Sequence, residues 1–213
     1  MTSTEPASTK SERLFEQFCS ANGIACHPIE CDGKKADYDV VVAGNTIVTE
    51  LKQIDANDDD DATWEEGRRR GSVAAWGNSD HRVRLKIQEA RKQLKARSKG
   101  TMPTLLVVYD NGTFAGTDYT DIKTAMFGDE KVVLSIANNE VVEFSAIHAG
   151  GNRRFTSDCN TSISAIALMF GAEPRLSIFH NHFAAIPIDP DWMRYDNVLH
   201  FRLDSNMYEW SII

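Results

Sequence analysis

An apolar run from Thr104 to Tyr109 sets the strongest limit on how this chain can fold. The run has the length of a strand and no alternation of polar and apolar residues, which is typical of a buried strand. Gly100 and Pro103 separate it from the preceding segment, and Asp110-Asn111-Gly112 forms a turn signal after it. We therefore predict that this run is a central strand of a sheet.

Two segments before this strand carry helix signals. From Arg82 to Ser98, four apolar residues recur at helical spacing and form one stripe. The stripe consists of Val83, Ile87, Ala90 and Leu94. Near the start of the chain, Thr9 and Glu12 match a capping box, and Asn22-Gly23 matches a helix end. These patterns predict helices on either side of the segment that contains the next motif.

That motif is a β-hairpin, because the ranges Asp37 to Val42 and Thr46 to Ile54 are rich in β-branched residues. A two-residue Gly44-Asn45 turn would place Asp39 opposite Glu50 and Asp37 opposite Lys52. A three-residue loop would change this pairing. The stretch from about Asp55 to His81 shows no periodicity and predicts a long functional or disordered loop.

The remaining residues predict a mixture of strands and helices. We expect short helices at Asp121 to Phe127 and Ser162 to Phe170, and strands at Lys131 to Ile136, Val141 to Ile147, Leu176 to Phe179, Val198 to Leu203 and Met207 to Ile212. The first half has the order αββαβ. We therefore predict a tail at residues 1–10 and one α/β domain at residues 11–213, with a core at 11–110 and an extension at 111–213.

The charge distribution is uneven. The chain has a net charge of −8, yet the segment from Arg68 to Lys99 holds eleven basic and two acidic residues. A basic surface of this kind can meet phosphates, although a solvated helix face is an equally good explanation. The candidate nucleic-acid contacts are Arg68, Arg69, Arg70, Arg84, Lys86, Arg91, Gln93 and Lys95.

Several observations bear on the compartment. The longest apolar stretch, Ala165 to Phe170, is far shorter than the roughly 18 residues of a membrane-spanning helix. The first ten residues do not match a secretory signal, and the four cysteines form no dense framework. We therefore expect a cytoplasmic protein that does not enter a membrane.

The residues with chemical potential lie in the hairpin. Glu50 and Lys52 are two positions apart, so in a strand both side chains point to one face while Leu51 points to the other. Clustered carboxylates repel one another unless a cation or a proton relieves them, and oxygen ligands suit Mg²⁺ or Mn²⁺. A nearby lysine could orient a water or stabilise developing negative charge. The alternative is an ordinary hairpin with exposed charges.

The run Ala36-Asp37-Tyr38-Asp39-Val40-Val41-Val42, followed by Ile47-Val48-Thr49-Glu50-Leu51-Lys52, resembles the PD-(D/E)xK nucleases, the restriction-endonuclease-like superfamily. The resemblance covers about the first half of the chain and departs at Ala36, where the family name places proline. It implies that Asp37 and Glu50 bind the metal, that Lys52 is the catalytic lysine, that Glu12 completes the site, and that Gln93 matches a helix glutamine of some branches.

The resemblance implies a restriction-endonuclease-like αββαβ core whose central mixed sheet is flanked by helices and extended by C-terminal strands and a helix. It also implies hydrolysis of nucleic-acid phosphodiesters, most simply in DNA, with Mg²⁺ or Mn²⁺, by a homodimer. Three alternatives stay open at particular residues: Glu12 only caps its own helix, Gln93 is a solvated helix residue, or Asp39 replaces Asp37 as the metal ligand.

Two other functions remain open for the whole chain. One is a catalytically inactive module that keeps the nuclease fold and binds a protein or nucleic acid. The other is an acidic partner-binding protein that uses the Asp-rich segment after Asp55.

Overall fold

The computed structural model describes residues 8–29, 36–73, 79–171 and 175–213. The helices are α1 (Lys10–Ala21), α2 (Asp58–Arg70), α3 (Ser79–Ser98) and α4 (Tyr119–Phe127), with a 3₁₀ turn at Pro190–Met193. The first six strands are β1 (Ala25–Pro28), β2 (Tyr38–Val42), β3 (Asn45–Asp55), β4 (Thr104–Asn111), β5 (Glu130–Lys131) and β6 (Leu134–Ala137). The others are β7 (Glu140–Phe144), β8 (His148–Ala149), β9 (Ala165–Phe170), β10 (Arg175–His180), β11 (Val198–Asp204) and β12 (Glu209–Ile212).

Eight strands form one mixed sheet in the order β1-β2-β3-β4-β9-β10-β11-β12. The pairs β3–β4, β4–β9 and β10–β11 are parallel, and the remaining pairs are antiparallel. The strand predicted at Thr104 to Tyr109 is β4, and it lies in the middle of the sheet. Six consecutive residues of β4 are buried, as expected for a strand covered on both faces.

The two faces of the sheet carry separate hydrophobic cores. On one face, Phe15 and Phe18 of α1 pack against Leu51 of β3 and Val107 of β4. On the other face, the apolar stripe of α3 packs with α4 against residues such as Val48, Leu106 and Leu168. Val83, Ile87, Ala90 and Leu94 are all fully buried, which confirms the predicted stripe. The chain is therefore an α/β protein with a large mixed sheet flanked by helices.

The first helix begins and ends as its sequence signals predict. Thr9 is the N-cap, its side chain accepts the Glu12 N–H, and the Thr9 N–H donates to the Glu12 carboxylate at 2.6 Å. At the other end, the Asn22 N–H bonds back to carbonyls of the last turn. The expected strands at Leu176, Val198 and Met207, and the helix ending at Phe127, are also present with shifted ends.

The predicted loop from Asp55 to His81 is wrong, because most of it is helical. Asn57 and Asp60 form a capping box at the start of α2, and Gly71 ends the helix with φ 77°. The helix dipole favours negative charge at the first turn, where four aspartates lie, and positive charge at the last turn, where three arginines lie. Periodicity missed this helix because its one buried residue is Asp60. The order of the first half is therefore α-βββ-αα-β rather than αββαβ.

The predicted helix from Ser162 to Phe170 is also wrong. Residues Ala165–Phe170 form β9, which lies parallel to β4 with five consecutive buried residues. An apolar run of six residues fits a buried strand and is short for a helix. Here it forms a strand because it pairs with β4 and β10 in the sheet. The strands expected between Lys131 and Ile147 do form, as β5 to β8, but they make two small two-stranded sheets apart from the main sheet.

The hairpin exists, but its predicted register is wrong by two residues. The turn lies at Ala43-Gly44, with φ of 50° and 76°, and Val42 pairs with Asn45. Positive φ at both turn positions gives the twist that matches a tight hairpin. Tyr38 therefore pairs with Thr49, and Asp37 rather than Asp39 comes beside Glu50. A shift of two keeps every side chain on its predicted face and changes only its partner.

In the described part of the chain, no helix is long and apolar enough to cross a membrane. The predicted tail at 1–10 falls mainly on residues 1–7, outside the described residues, but its last residue, Lys10, already belongs to α1. One of the four cysteines, Cys31, also lies outside the described residues.

Candidate active site

The side chains predicted to act together meet between the β2–β3 hairpin and helix α3. Leu51 packs in the core on the α1 side of the sheet, so Glu50 and Lys52 point to the α3 side. The Lys52 Nζ lies 3.4 Å from the Gln93 Oε1 of α3, which confirms this direction. Asp37 lies directly before β2, and its N–H donates to the Thr49 carbonyl.

Glu50 is the most unusual residue of this cluster. Its side chain is 0% exposed, and its Oε1 lies 2.6 Å from the Lys52 Nζ. Its Oε2 has no hydrogen-bond partner among the described residues. Burial, with the Asp37 carboxylate adding to it, raises the pKa of Glu50 to about 7, although Lys52 and the nearby backbone N–H of Asp37 act in the opposite direction. A carboxylate in this setting retains an oxygen that can bind a cation or a proton.

Asp37 is held in place by the backbone of the neighbouring strand. Its Oδ2 accepts the Leu51 N–H at 2.7 Å. Burial raises the pKa of Asp37, and the Glu12 carboxylate adds to this effect, while the Leu51 N–H and Lys52 oppose it. Asp37 is therefore fixed beside Glu50, and the first-helix glutamate acts on the same carboxylate.

Glu12 has two roles in this arrangement. Its carboxylate closes the capping box with Thr9, as the simpler of the two interpretations predicts. It also contributes to the negative potential at Asp37. Glu12 thus acts on Asp37, the Asp37 carboxylate acts on Glu50, and the Lys52 ammonium contacts Glu50.

Asp39, the rival metal ligand, is engaged elsewhere. Both of its carboxylate oxygens accept hydrogen bonds from the Arg97 guanidinium, with a distance of 3.2 Å from Nε to Oδ1. Such a two-point ion pair occupies the oxygens that a metal would need. The geometry therefore favours Asp37 over Asp39 as the partner of Glu50.

The predicted phosphate-binding residues do not form one surface. Arg84 is buried and pairs with Asp80 at 2.8 Å and with Asp129 at 2.6 Å, so its guanidinium faces the interior. This placement removes Arg84 from the candidate contacts. Lys86 pairs with Glu89 at 3.3 Å. The three arginines Arg68, Arg69 and Arg70 end α2, where Arg70 pairs with Glu66 at 3.0 Å and Arg69 lies 3.9 Å from the same carboxylate.

Arg91 and Lys95 line a groove on the other flank of α3. The groove has a volume of about 750 Å³. One wall contains Arg91, Lys92 and Lys95 of α3 and Lys99 directly after it, and the opposite wall contains Asp158, Asn160, Thr161 and Ser162. Gln93 and Arg97, by contrast, contact residues of the β2–β3 hairpin. No local sequence pattern predicts the groove, because its two walls are about sixty positions apart in the chain.

The residues present fit a divalent cation in one specific way. Among the described residues, no group of three or more His, Cys, Asp and Glu side chains is arranged to hold a metal. Mg²⁺ is usually bound by one or two carboxylates together with water and substrate phosphates, so it does not need such a group. Asp37 and the unpartnered Oε2 of Glu50 would supply the two carboxylates of such a site. Family models, curated proteins and solved structures were compared with this chain, and none of them matches it.

Proposed function

We propose that this protein is a divalent-metal-dependent nuclease with a restriction-endonuclease-like core, and that it hydrolyses phosphodiester bonds in DNA. The observation that carries the proposal is the buried Glu50 carboxylate, which has an unpartnered oxygen beside Asp37 and an ion pair with Lys52. A buried charge without full compensation is costly, and such groups concentrate at functional sites.

The topology around these residues also supports the proposal. Helix α1 precedes an antiparallel hairpin, α3 connects β3 to the parallel strand β4, and the acidic pair and the lysine lie on the hairpin. This is the arrangement that the PD-(D/E)xK resemblance implies. Strand β1 and helix α2 are additions to it.

Each residue would have a separate task. Asp37 and Glu50 would hold Mg²⁺ or Mn²⁺, which when bound supplies charge stabilisation at a scissile phosphate and lowers the pKa of an attacking water. Lys52 is 20% exposed, so its ammonium would be able to turn from Glu50 toward the substrate. There it would orient the attacking water or stabilise the negative charge that develops on the phosphate. Gln93, 3.4 Å from the Lys52 Nζ, would hold the ammonium in position.

The proposed DNA path runs past this cluster and across α3. The groove lined by Arg91, Lys92, Lys95 and Lys99 is a basic feature next to that helix. Four basic side chains with one acidic residue, Asp158, can bind phosphates by releasing counterions. The remainder of the chain is acidic, so this region would direct a polyanion to one side of the molecule.

Metal binding is the first test, and it does not depend on the substrate. Calorimetry with Mn²⁺ should show one binding event for the parent chain and none for Glu50→Gln or Asp37→Asn. Asp39→Asn is the discriminating variant, because its carboxylate pairs with Arg97 and should not contribute. If only Asp39→Asn lost Mn²⁺ binding, Asp39 would be the metal ligand and the assignment to Asp37 and Glu50 would be wrong.

Cleavage is the second test. Duplex, branched and single-stranded DNA would be incubated with the purified protein in Mn²⁺, with Lys52→Ala and Glu50→Ala beside it. We expect cutting by the parent chain only, with DNA binding nearly unchanged in Lys52→Ala. Equal loss of binding and cleavage in Lys52→Ala would contradict a catalytic role for the lysine.

One observation favours a second function, a nuclease-fold module without turnover. The Lys52–Glu50 ion pair already compensates part of the buried charge, and the groove opens on the flank of α3 away from the carboxylates. DNA binding through the groove, with no Mn²⁺ binding and no cleavage of any substrate, would favour this function.

A further inference from the structure

The hairpin formed by β6 and β7 stands apart from the main sheet. The two strands pair only with each other in the sheet topology, and every residue of both strands is exposed. Asn138 and Asn139 join them with φ of 53° and 66°. Positive φ at both positions is the signature of a tight hairpin turn, and asparagine tolerates it well. The local sequence therefore specifies a hairpin that the other described residues leave uncovered.

The two faces of this hairpin differ sharply in composition. Leu134 pairs with Phe144, and Ile136 pairs with Val141, so these four side chains share one face. A bulge between Ser135 and Ile136 shifts the register and brings Val142 to the same side. The opposite face carries the pairs Ser135–Glu143 and Ala137–Glu140. The hairpin is thus amphipathic, with an apolar face and an acidic face.

The apolar face exposes far more hydrophobic surface than an isolated residue would. Phe144 is 70% exposed and Ile136 is 66% exposed, and Leu134, Val141 and Val142 are exposed as well. Together these five residues expose roughly 500 Å², which is within the range of the largest apolar patch on an ordinary monomer, and such patches are often functional. An isolated two-stranded hairpin is also marginally stable in water. Both facts indicate that the face is covered in the working state of the protein.

The base of the hairpin is tied firmly to the body of the protein. Strands β5 and β8 form a short ladder there, and Glu130 pairs with Lys123 of α4 at 2.6 Å. Asp129 pairs with the buried Arg84 of α3 at 2.6 Å. The hairpin is therefore attached to the core at a defined position, so its apolar face has a fixed orientation relative to the body of the protein.

We propose that this apolar hairpin face is a homodimer interface, and that it is covered by the same face of a second copy of the chain. Two such faces would bury roughly 1,000 Å² before flanking residues are counted, which is about the smallest area expected of a specific interface. A twofold axis brings identical patches together, so an apolar face is its own complement. In this pairing Glu140 and Glu143 stay on the outer, hydrated faces, whereas packing the acidic faces together would place like charges in contact.

Sedimentation equilibrium of the full chain tests the proposal over about 1 to 100 µM, because the mass of a reversible dimer depends on concentration. We expect the parent chain to reach twice the mass of one chain. The substitution Leu134→Gln should weaken dimerisation at least tenfold, and Leu134→Gln with Phe144→Gln at least a hundredfold. Leu85→Gln is the matched control, because Leu85 of α3 has nearly the same exposure, 43% against 46%, and lies outside the hairpin.

Hydrogen exchange of the β6 and β7 amides in the parent chain gives a second measurement that needs no variant. Their protection should rise with protein concentration, while amides of β4 should not change. A chain that stays monomeric at 100 µM overturns the proposal. Binding of the hairpin to a different protein would not rescue it. A dimer that survives the double substitution overturns it too, because its interface then lies elsewhere. If the double variant does not fold, the concentration dependence of exchange decides.

Discussion

Replacing Glu50 with glutamine should stabilise the protein, although it removes one partner of a buried ion pair. The glutamine amide has nearly the shape of the protonated carboxyl and carries no charge. Because burial raises the pKa of Glu50 to about 7, the native state binds this proton more tightly than the unfolded chain does. Glu50 therefore contributes most to stability below its ordinary pKa of 4.5, and this contribution is lost as the pH rises through 7.

The size of the effect follows from the two pKa values. A rise from 4.5 to about 7 corresponds to roughly 3 kcal/mol at 1.36 kcal/mol per unit. At about pH 8 the parent chain carries the full cost of the ionised carboxylate, and Glu50→Gln does not. At about pH 5 the difference should fall below about 1 kcal/mol.

Urea unfolding followed by circular dichroism, in buffer without divalent ions, would measure this difference across the pH range. The matched control is Glu209→Gln, because Glu209 is exposed at the sheet edge and should show no such gain. A gain that is the same at every pH, or a variant that is less stable than the parent at pH 8, would refute the reasoning. Saturating Mn²⁺ should then stabilise the parent chain but not Glu50→Gln, because a bound cation favours the ionised carboxylate.

Four further predictions test other parts of the structure. Neutralising Arg91 and Lys95 together should reduce the slope of log affinity for DNA against log salt by roughly two units, and an unchanged slope would place the DNA away from the groove. Thr9→Ala should cost about 1 kcal/mol in urea unfolding, because it removes the N-cap of α1; a loss near zero would mean that the cap is dispensable. Ala43→Gly should stabilise the hairpin by up to about 1 kcal/mol, since φ at Ala43 is 50°, and a loss of stability would argue against that turn. Gly128→Ala should lower the melting temperature strongly, because the added Cβ would lie 2.6 Å from the Gly151 carbonyl oxygen. Gly151→Ala is the control and should change the melting temperature little, because a Cβ at Gly151 meets no atom within 4 Å. Equal effects of the two substitutions would contradict the close approach at Gly128.

The elements that could be predicted from sequence are those whose signal is local. The capping box at Thr9 and the stripe on α3 each reflect interactions within one helix, and both are present. The common face of Glu50 and Lys52 follows from strand alternation alone. Their contact with each other, at 2.6 Å, therefore did not depend on the register.

The errors arose where tertiary contacts decide. Residues Ala165–Phe170 could be either a short helix or a strand, and their place beside β4 decided for the strand. The turn at Ala43-Gly44 requires positive φ at an alanine, which no turn preference favours, so the register was misplaced by two residues. Helix α2 has almost no apolar face, and its signal lay instead in its caps and in the order of its charges. The pairings of Arg84 with Asp129 and of Asp39 with Arg97 join positions more than forty apart, which no local pattern contains.

The position of β4 in the sheet has a consequence for synthesis of the chain on the ribosome. Leu105 of β4 pairs with Thr49 on one side and with Ala165 on the other. At the usual elongation rate of about 5 to 20 residues per second, the second partner emerges roughly 3 to 12 seconds after the first pairing becomes possible. During that interval one edge of a strand with five consecutive residues from Leu105 to Tyr109 that are buried in the folded chain lacks its neighbour, and open edges of this kind recruit other strands. Nascent chains should therefore aggregate most when many ribosomes translate this region together, and a lower expression temperature should raise the yield of folded protein.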